Sequence, residues 1–333
     1  MNHSLIHNLT NYLLLNAYSF RSNGLYNGKA GVSLCLFELS RHNNDEKVEE
    51  HALELLQESL ALSDKTKDIY WEDGLSGIGF VLLYLIVNKF LDADFEELFG
   101  EQLRVIQSQL EKQTEFSKKD LTLTYLGTLL SHYQNKTEHI IPVFEILKKN
   151  ENILKKQLEA YDSIDSKEIK YDVLNHMESY VKTASICTNY KISKTLINRY
   201  IELYERRRAF GNFSTGHYLE KTAITEKEKL IVGGIKRNAI QNIYPDTLSL
   251  AQRTELLYLM SQHNQCYQDQ IKQLEKGLFD MDNLCYERDI SLSVLNQDLM
   301  AGYSSGVARL LLYWVYKETN RNDPNFSRFK YLF

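Results

Sequence analysis

The chain has 333 residues, 39 Lys+Arg against 44 Asp+Glu, and a net charge of -5. With 43% apolar residues it has the material for a large buried core, which excludes a disordered chain. The mild acidity removes the electrostatic case for nucleic acid, and only 3 prolines and 15 glycines exclude collagen-like and proline-rich classes.

In chain order, apolar residues recur with helical spacing over Ser4–Ser19, Val32–Ser40, Asp45–Leu62, Phe80–Phe90, Asp94–Lys112, Leu121–Tyr133 and Ile140–Leu158. The pattern continues over Tyr171–Ile186, Ser193–Arg207, Lys227–Asn242, Leu248–His263, Gln268–Phe279 and Val307–Lys317. In the Asp45–Leu62 segment, Val48, Ala52, Leu53, Leu55, Leu56 and Leu60 form one broad apolar face, and acids crowd the helix start, where they suit its dipole. Breaks between segments are short and carry Gly, Asn, Asp or Ser; Asp323-Pro324-Asn325 ends the last one. No stretch alternates with period two for long, and no Pro- or Ser-rich linker marks a boundary. Residues 1–333 therefore read as a single all-α domain.

The four cysteines, Cys35, Cys187, Cys266 and Cys285, show no CxxC spacing and make no disulfide framework. Met1–Asn8 has neither the cationic start nor the apolar stretch of a signal peptide. The longest apolar run, Leu75–Val87, is too short to span a bilayer. A cytoplasmic protein without a membrane span is the expectation.

Glycine motifs recur before apolar runs. Gly24-Leu25-Tyr26-Asn27-Gly28-Lys29-Ala30-Gly31 precedes Val32–Leu39, Gly74-Leu75-Ser76-Gly77 precedes Ile78–Val87, and Gly302-Tyr303-Ser304-Ser305-Gly306 precedes Val307–Tyr316. Gly28 to Gly74 and Gly31 to Gly77 are both 46 residues, and Gly77 to Gly306 is 229, almost five such steps. A unit of this size is a helical hairpin, and about seven fit the chain, with Gly31 in the first and Gly306 in the last. Degenerate copies fall near Gly127, His176, Gly216 and Met260. Closed into a double-layered α/α toroid, such hairpins put their glycine-rich inner-helix starts around one funnel, with backbone N–H groups facing it.

These motifs, with Glu72-Asp73-Gly74-Leu75-Ser76-Gly77-Ile78, resemble the lanthionine synthetase C-like family of lanthipeptide cyclases and their relatives. The motif likeness covers roughly residues 20–90 and 298–316. It implies a double ring of fourteen helices, a role in peptide modification, and partners that are a peptide substrate or leader peptide and other peptide-modifying enzymes. The family's cyclases hold zinc by two cysteines and a histidine, in Trp-Cys-Tyr-Gly and Cys-His-Gly elements. The metal activates a substrate thiol for addition to a dehydrated residue. Neither element occurs here. Cys187, in Ser185-Ile186-Cys187-Thr188-Asn189, is the nearest echo of the first, and 46 residues further on stands Val232-Gly233-Gly234. No cofactor is therefore assigned, and a divergent, zinc-free cyclase or a peptide-binding partner is expected.

The family's aspartate four before the second glycine motif is Tyr70 in this chain, with Asp68, Glu72 and Asp73 close by. Those three carboxylates and His217 are the catalytic candidates, and Tyr26, Asn27, Tyr70, Trp71 and Tyr303 are the candidate substrate contacts. Glu72 and Asp73 equally suit capping of the next helix, or a carbohydrate-active α/α-barrel enzyme. A non-catalytic helical scaffold for a protein partner is a further alternative. Arg206-Arg207-Arg208 followed by Gly211–His217 reads as a basic cluster on a flexible loop, suited to an acidic leader peptide or a phosphate, or as a solvated helix end. His263, Cys266 and Cys285 make a scattered set of possible ligands for which packing is the simpler reading. Gly302-Tyr303-Ser304-Ser305-Gly306 matches a hydrolase elbow in letters but lacks the strand that motif requires.

Overall fold

The computed structural model describes residues 3–63, 65–134, 141–161, 171–187, 189–207, 209, 211–222, 225–241, 248–263, 266–279, 301–304, 306–319 and 326–333. Among them there are fourteen α-helices, two short 3-10 helices and no strand; one isolated bridge joins Ser22 and Gly28. The helices are α1 (His3–Ala17), α2 (Lys29–Asn43), α3 (Glu46–Ser63), α4 (Leu75–Val87), α5 (Phe95–Lys112), α6 (Leu123–Gln134) and α7 (Val143–Glu159). They continue with α8 (Tyr171–Ile186), α9 (Lys194–Glu205), α10 (Phe213–Glu220), α11 (Glu226–Gln241), α12 (Leu250–Ser261), α13 (Gln268–Phe279) and α14 (Val307–Glu318). Met1–Gln109 with Pro245–Phe333 forms unit 1, and Leu110–Tyr244 forms unit 2.

Burial alternates along the chain. In α2 every residue from Ala30 to Ser40 is buried, in α4 every one from Leu75 to Ile86, in α10 from Phe213 to Leu219, and in α14 from Val307 to Tyr316. The helices α3, α7 and α9 bury one face each. On α3 that face is narrower than the apolar letters suggest: Val48, Ala52, Leu55 and Leu56 are buried, but Leu53 is exposed. Asp45 starts this helix by accepting the backbone N–H groups of Lys47 and Val48. A wholly covered helix followed by a half-covered one is the hairpin unit expected from the 46-residue spacing.

That repeat is written in backbone hydrogen bonds. Lys29 N–H donates to the Ser22 carbonyl (3.1 Å) and Leu75, 46 residues on, to the Asp68 carbonyl (2.8 Å). Ala30 donates to Asn23, Ser76 to Ile69 and Ala308 to Ala301, each at 3.3 Å. Gly28, Gly74 and Gly306 are the N-caps of α2, α4 and α14, all with extended backbone. The counterpart of Gly306 is thus Gly28 and Gly74, not Gly31 and Gly77. The expected register shifts by three residues because the last motif has lost its second glycine: the residue three after Gly306 is Arg309.

The glycines are set by space, since their φ angles suit any residue. A Cβ on Gly31 would overlap the Leu25 carbonyl and come within 2.7 Å of Tyr303 Cβ; one on Gly77 would overlap the Trp71 carbonyl and come within 2.9 Å of Leu25 Cβ. Each helix start is wrapped by its own preceding loop and pressed by the side chain of a neighbouring loop. On α11, by contrast, a Cβ on Gly234 meets nothing within 4 Å. Gly31→Ala and Gly77→Ala are each expected to lower stability by about 3 kcal/mol, because backbone must move to admit the methyl group. Gly234→Ala is expected to raise it by ~1 kcal/mol, the usual gain in a helix interior. Thermal melting of the three variants checks both directions.

Candidate functional site

In unit 1 the loops that open α2, α4 and α14 meet. Three residues before each cap glycine stand Leu25, Trp71 and Tyr303, all buried. They are packing pegs. Leu25 presses on Gly77 and Tyr303 on Gly31, while the Trp71 ring lies 4.6 Å from that of Phe80. The Tyr303 hydroxyl donates inward, to the Leu332 carbonyl at 2.8 Å. Trp71 and Tyr303, two of the expected substrate contacts, thus lie within the packed interior, while Tyr26, Asn27 and Tyr70 are half-buried at the loop surface.

Two residues before each cap stand Tyr26, Glu72 and Ser304, linked through their main chains. Ser304 N–H donates to the Tyr26 carbonyl (3.0 Å), and Tyr26 N–H donates to the Glu72 carbonyl (2.9 Å), which also accepts Leu25 N–H. Equivalent positions of successive loops are therefore joined by the same bond. One residue before the cap, Asn27 and Asp73 are each oriented by a serine: Ser304 Oγ donates to Asn27 Oδ1 (3.1 Å) and Ser22 Oγ to Asp73 Oδ1 (2.8 Å). Four residues before the cap, Gly24 and Gly302 lie against Asp73 and Asn27, and the third counterpart is Tyr70. The resulting rim presents Tyr26, Asn27 and Tyr70 beside the exposed carboxylates Asp68, Glu72 and Asp73. Asp68 Oδ1 also accepts Tyr70 N–H (2.8 Å), which ties that carboxylate to its own turn. The orienting role of Ser22 and Ser304 is not legible in the sequence, where Ser304 reads only as part of the elbow-like pattern; a serine's acceptor is known only once the fold brings it close.

His217 belongs to unit 2. The stretch expected to be a flexible loop is helical from Phe213, because Asn212 caps it by accepting Thr215 N–H (2.8 Å) and anchors itself on Glu178 (2.5 Å). His217 is buried in α10, edge-on to the Tyr218 ring at 5.1 Å. Arg206 and Arg207 are exposed at the end of α9, and Arg208 lies outside the described residues. Ser304 Oγ bonds Asn27, and no strand precedes it among the described residues, so no hydrolase elbow forms there.

The described residues do not fit the zinc site that the resemblance implies. The loop before Gly74, Trp71-Glu72-Asp73-Gly74, carries no thiol, and the counterparts of Glu72 in the other two loops are Tyr26 and Ser304. Cys187 lies at the end of α8, not at a helix start, and Val232-Gly233-Gly234 lies inside α11. The projection from Cys187 therefore lands mid-helix. Cys187 is buried beside the Thr128 hydroxyl (3.1 Å), and burial pushes its thiol pKa up, against the thiolate a metal needs. His263 and Cys266 share one turn, Cys285 lies outside the described residues, and no group of three His, Cys, Asp or Glu there is placed to hold a metal.

Among the described residues there are helices and no strand, and the buried helices α2, α4 and α14 are each entered at a glycine cap; this defines an all-α protein built of helical hairpins. The match to the lanthionine synthetase C-like protein family model runs over residues 19–218, three-fifths of the chain, and the chain belongs to that family. No curated protein and no solved structure matches it.

Unit 2 carries a polar core that the apolar pattern alone did not reveal, although Asn150 and Glu151 stand on the apolar stripe of α7 with Leu147, Leu154 and Leu158. Burial opposes ionisation of Glu151. Bonds from Lys155 (2.8 Å), Tyr180 (2.9 Å) and Lys148 (3.1 Å) outweigh it and hold the carboxyl at about 2. His176 Nε2 lies 2.7 Å from Asn150 Oδ1, whose amide nitrogen donates to the Ile146 and Ser117 carbonyls, so the histidine is the donor. Burial lowers its pKa to about 4. Both groups bind protons more tightly when unfolded. Stability is therefore complete above about pH 6.5 and is lost through His176 down to about 4, then through Glu151 from about 4.5 to 2. The protection of the α7 and α8 amides, referred to their intrinsic exchange rates at each pH, should fall over the first window, by on the order of 3 kcal/mol at its acid end. His176→Gln should flatten that slope.

Proposed function

We propose that the chain is a peptide-binding protein of peptide natural-product modification that works without its family's zinc. The observation that carries this reading is that neither Trp-Cys-Tyr-Gly nor Cys-His-Gly occurs in the sequence, and the loop that opens α4 carries Glu72 and Asp73 instead of a thiol. A carboxylate there neither forms a thiolate nor completes a two-cysteine, one-histidine ligand set. The rim suits an extended peptide. Tyr26 and Tyr70 offer aromatic faces with polar tips, and Asn27 and Asp73, each held by a serine, offer hydrogen-bonding groups of fixed direction.

The partner is a peptide substrate or its leader, handled together with other modifying enzymes. Cys35, Cys187 and Cys266 are free thiols, which suits a reducing cytoplasmic setting, and no helix among the described residues is long and apolar enough to cross a membrane.

Metal-independent thiol addition is the second reading, favoured by the orientation of Asp73 by Ser22. In it a rim carboxylate takes the proton of the peptide thiol, sulfur bonds to the β-carbon of a dehydrated residue, and the α-carbon takes up a proton.

Elemental mass spectrometry of untagged protein never exposed to chelator is expected to find far less than one zinc per chain. About one per chain overturns the zinc-free reading. A model peptide carrying one cysteine and one dehydroalanine separates the two readings. Binding with an unchanged free-thiol count supports the first. A protein-dependent loss of thiol that Asp73→Asn abolishes supports the second.

A further inference from the structure

The last described segment of unit 1, the 3-10 helix η2 (Phe326–Tyr331) with Leu332 and Phe333, enters the interior at two places. At one, the Arg328 guanidinium grips Glu38 of α2 with Nε and Nη2, each at 2.9 Å. The same carboxylate accepts the Tyr84 hydroxyl of α4 at 2.5 Å, and Glu38 is wholly buried. At the other, the Leu332 carbonyl accepts both the Tyr303 hydroxyl and Arg309 Nη1. Arg309 further donates from Nε to Thr254 of α12 (2.9 Å) and lies 4.6 Å over the Phe333 ring. Phe333 stacks on Tyr258 at 5.3 Å, and Phe329 meets Tyr316 edge-on at the same separation.

Arg309 occupies the place that Gly31 and Gly77 hold in α2 and α4. Those glycines receive the peg of a neighbouring loop. An arginine leaves no such place, and its guanidinium is instead bound to the segment at Leu332 and Phe333. That segment in turn holds Tyr303, the peg seated on Gly31. One residue on, Ser304 bonds Tyr26 through its main chain and Asn27 through its side chain. A continuous series of contacts thus leads from Glu38–Arg328 through Leu332 and Tyr303 to the rim.

We propose that residues 326–333 are a strap that holds the rim loops of α2 and α14 in their hydrogen-bonded arrangement, so that releasing the strap opens the rim while the helices stay folded. The order of that rim is set from a segment distant in sequence, not by the loops alone. This inference concerns loop order and does not require the rim to bind peptide.

Amide hydrogen exchange of the full chain tests it. In Tyr303→Phe, which removes the hydroxyl bonded to Leu332 and keeps the peg, exchange at Ser304 and Tyr26 is expected to quicken at least tenfold. The amides of α3 and α5 should stay as in the parent. Arg328→Met severs the strap at its other anchor and should give the same local pattern. If it fails to fold, because Glu38 is left buried without its counter-charge, Tyr303→Phe alone decides. Unchanged exchange at Ser304 and Tyr26, or quickening shared equally by α3 and α5, overturns the proposal.

Discussion

The contact on which unit 1 depends is a side chain pressed on a glycine: Tyr303 on Gly31 and Leu25 on Gly77. Close packing rewards such an approach only if there is no Cβ, because dispersion attraction is short-ranged and overlap is steeply repulsive. Once the peg is seated, the two loops are close enough for the main-chain bond that follows it, Ser304 to Tyr26 in one case and Tyr26 to Glu72 in the next. A steric fact about one residue type thereby fixes the spacing of whole hairpins, and it does so between helices as far apart in sequence as α14 and α2.

The peg also determines which residues face outward. With Leu25, Trp71 and Tyr303 turned into the core, the next two positions of each loop are carried toward the surface, and they hold Tyr26, Asn27, Glu72 and Asp73. Their main chains are taken up in the loop-to-loop bonds, and two of their side chains are steadied by Ser22 and Ser304. A surface so built is pre-ordered, and pre-order lowers the conformational cost of holding a flexible partner. Unit 2 uses polar groups differently. There Glu151 and His176 are buried, and their bonds are made within the core, so their charge states bear on stability.

Much of this was legible in the letters, and the parts that were not have physical causes. The helices and the 46-residue repeat follow from apolar spacing and from glycines that only close approach explains. The register of the last motif was misread because Arg309 replaces a glycine, and the space it fills is taken by a segment with no motif of its own. Gly211 to His217 looked like a loop because its glycines and small polar residues weaken helix propensity. Burial against α8 and α11, with the Asn212 cap, overrides that local preference. Cys187 drew attention as a thiol at a plausible distance, yet position along a helix cannot be read from spacing alone. Trp71 and Tyr303 read from the letters as substrate contacts, and the structure places both in the packed interior; an aromatic ring in a loop serves equally well as a peg, and only the neighbouring glycine tells the two apart.

The same construction explains how a chain remains in a family while the chemistry at its loops changes. At the position two before the cap, the bond between loops is made by the peptide group: Tyr26 and Ser304 donate their N–H groups, and the Glu72 and Tyr26 carbonyls accept them. Nothing in that bond depends on the side chain, and the position holds Tyr26, Glu72 and Ser304 in three copies of one loop within a single chain. The position one residue earlier is different, because its side chain is the peg, and there the residues are all large and apolar or aromatic. Selection for folding therefore acts on the peg and the glycines and leaves the neighbouring position open. Glu72 stands at a position of that kind, where the side chain can change while the main-chain bond is kept.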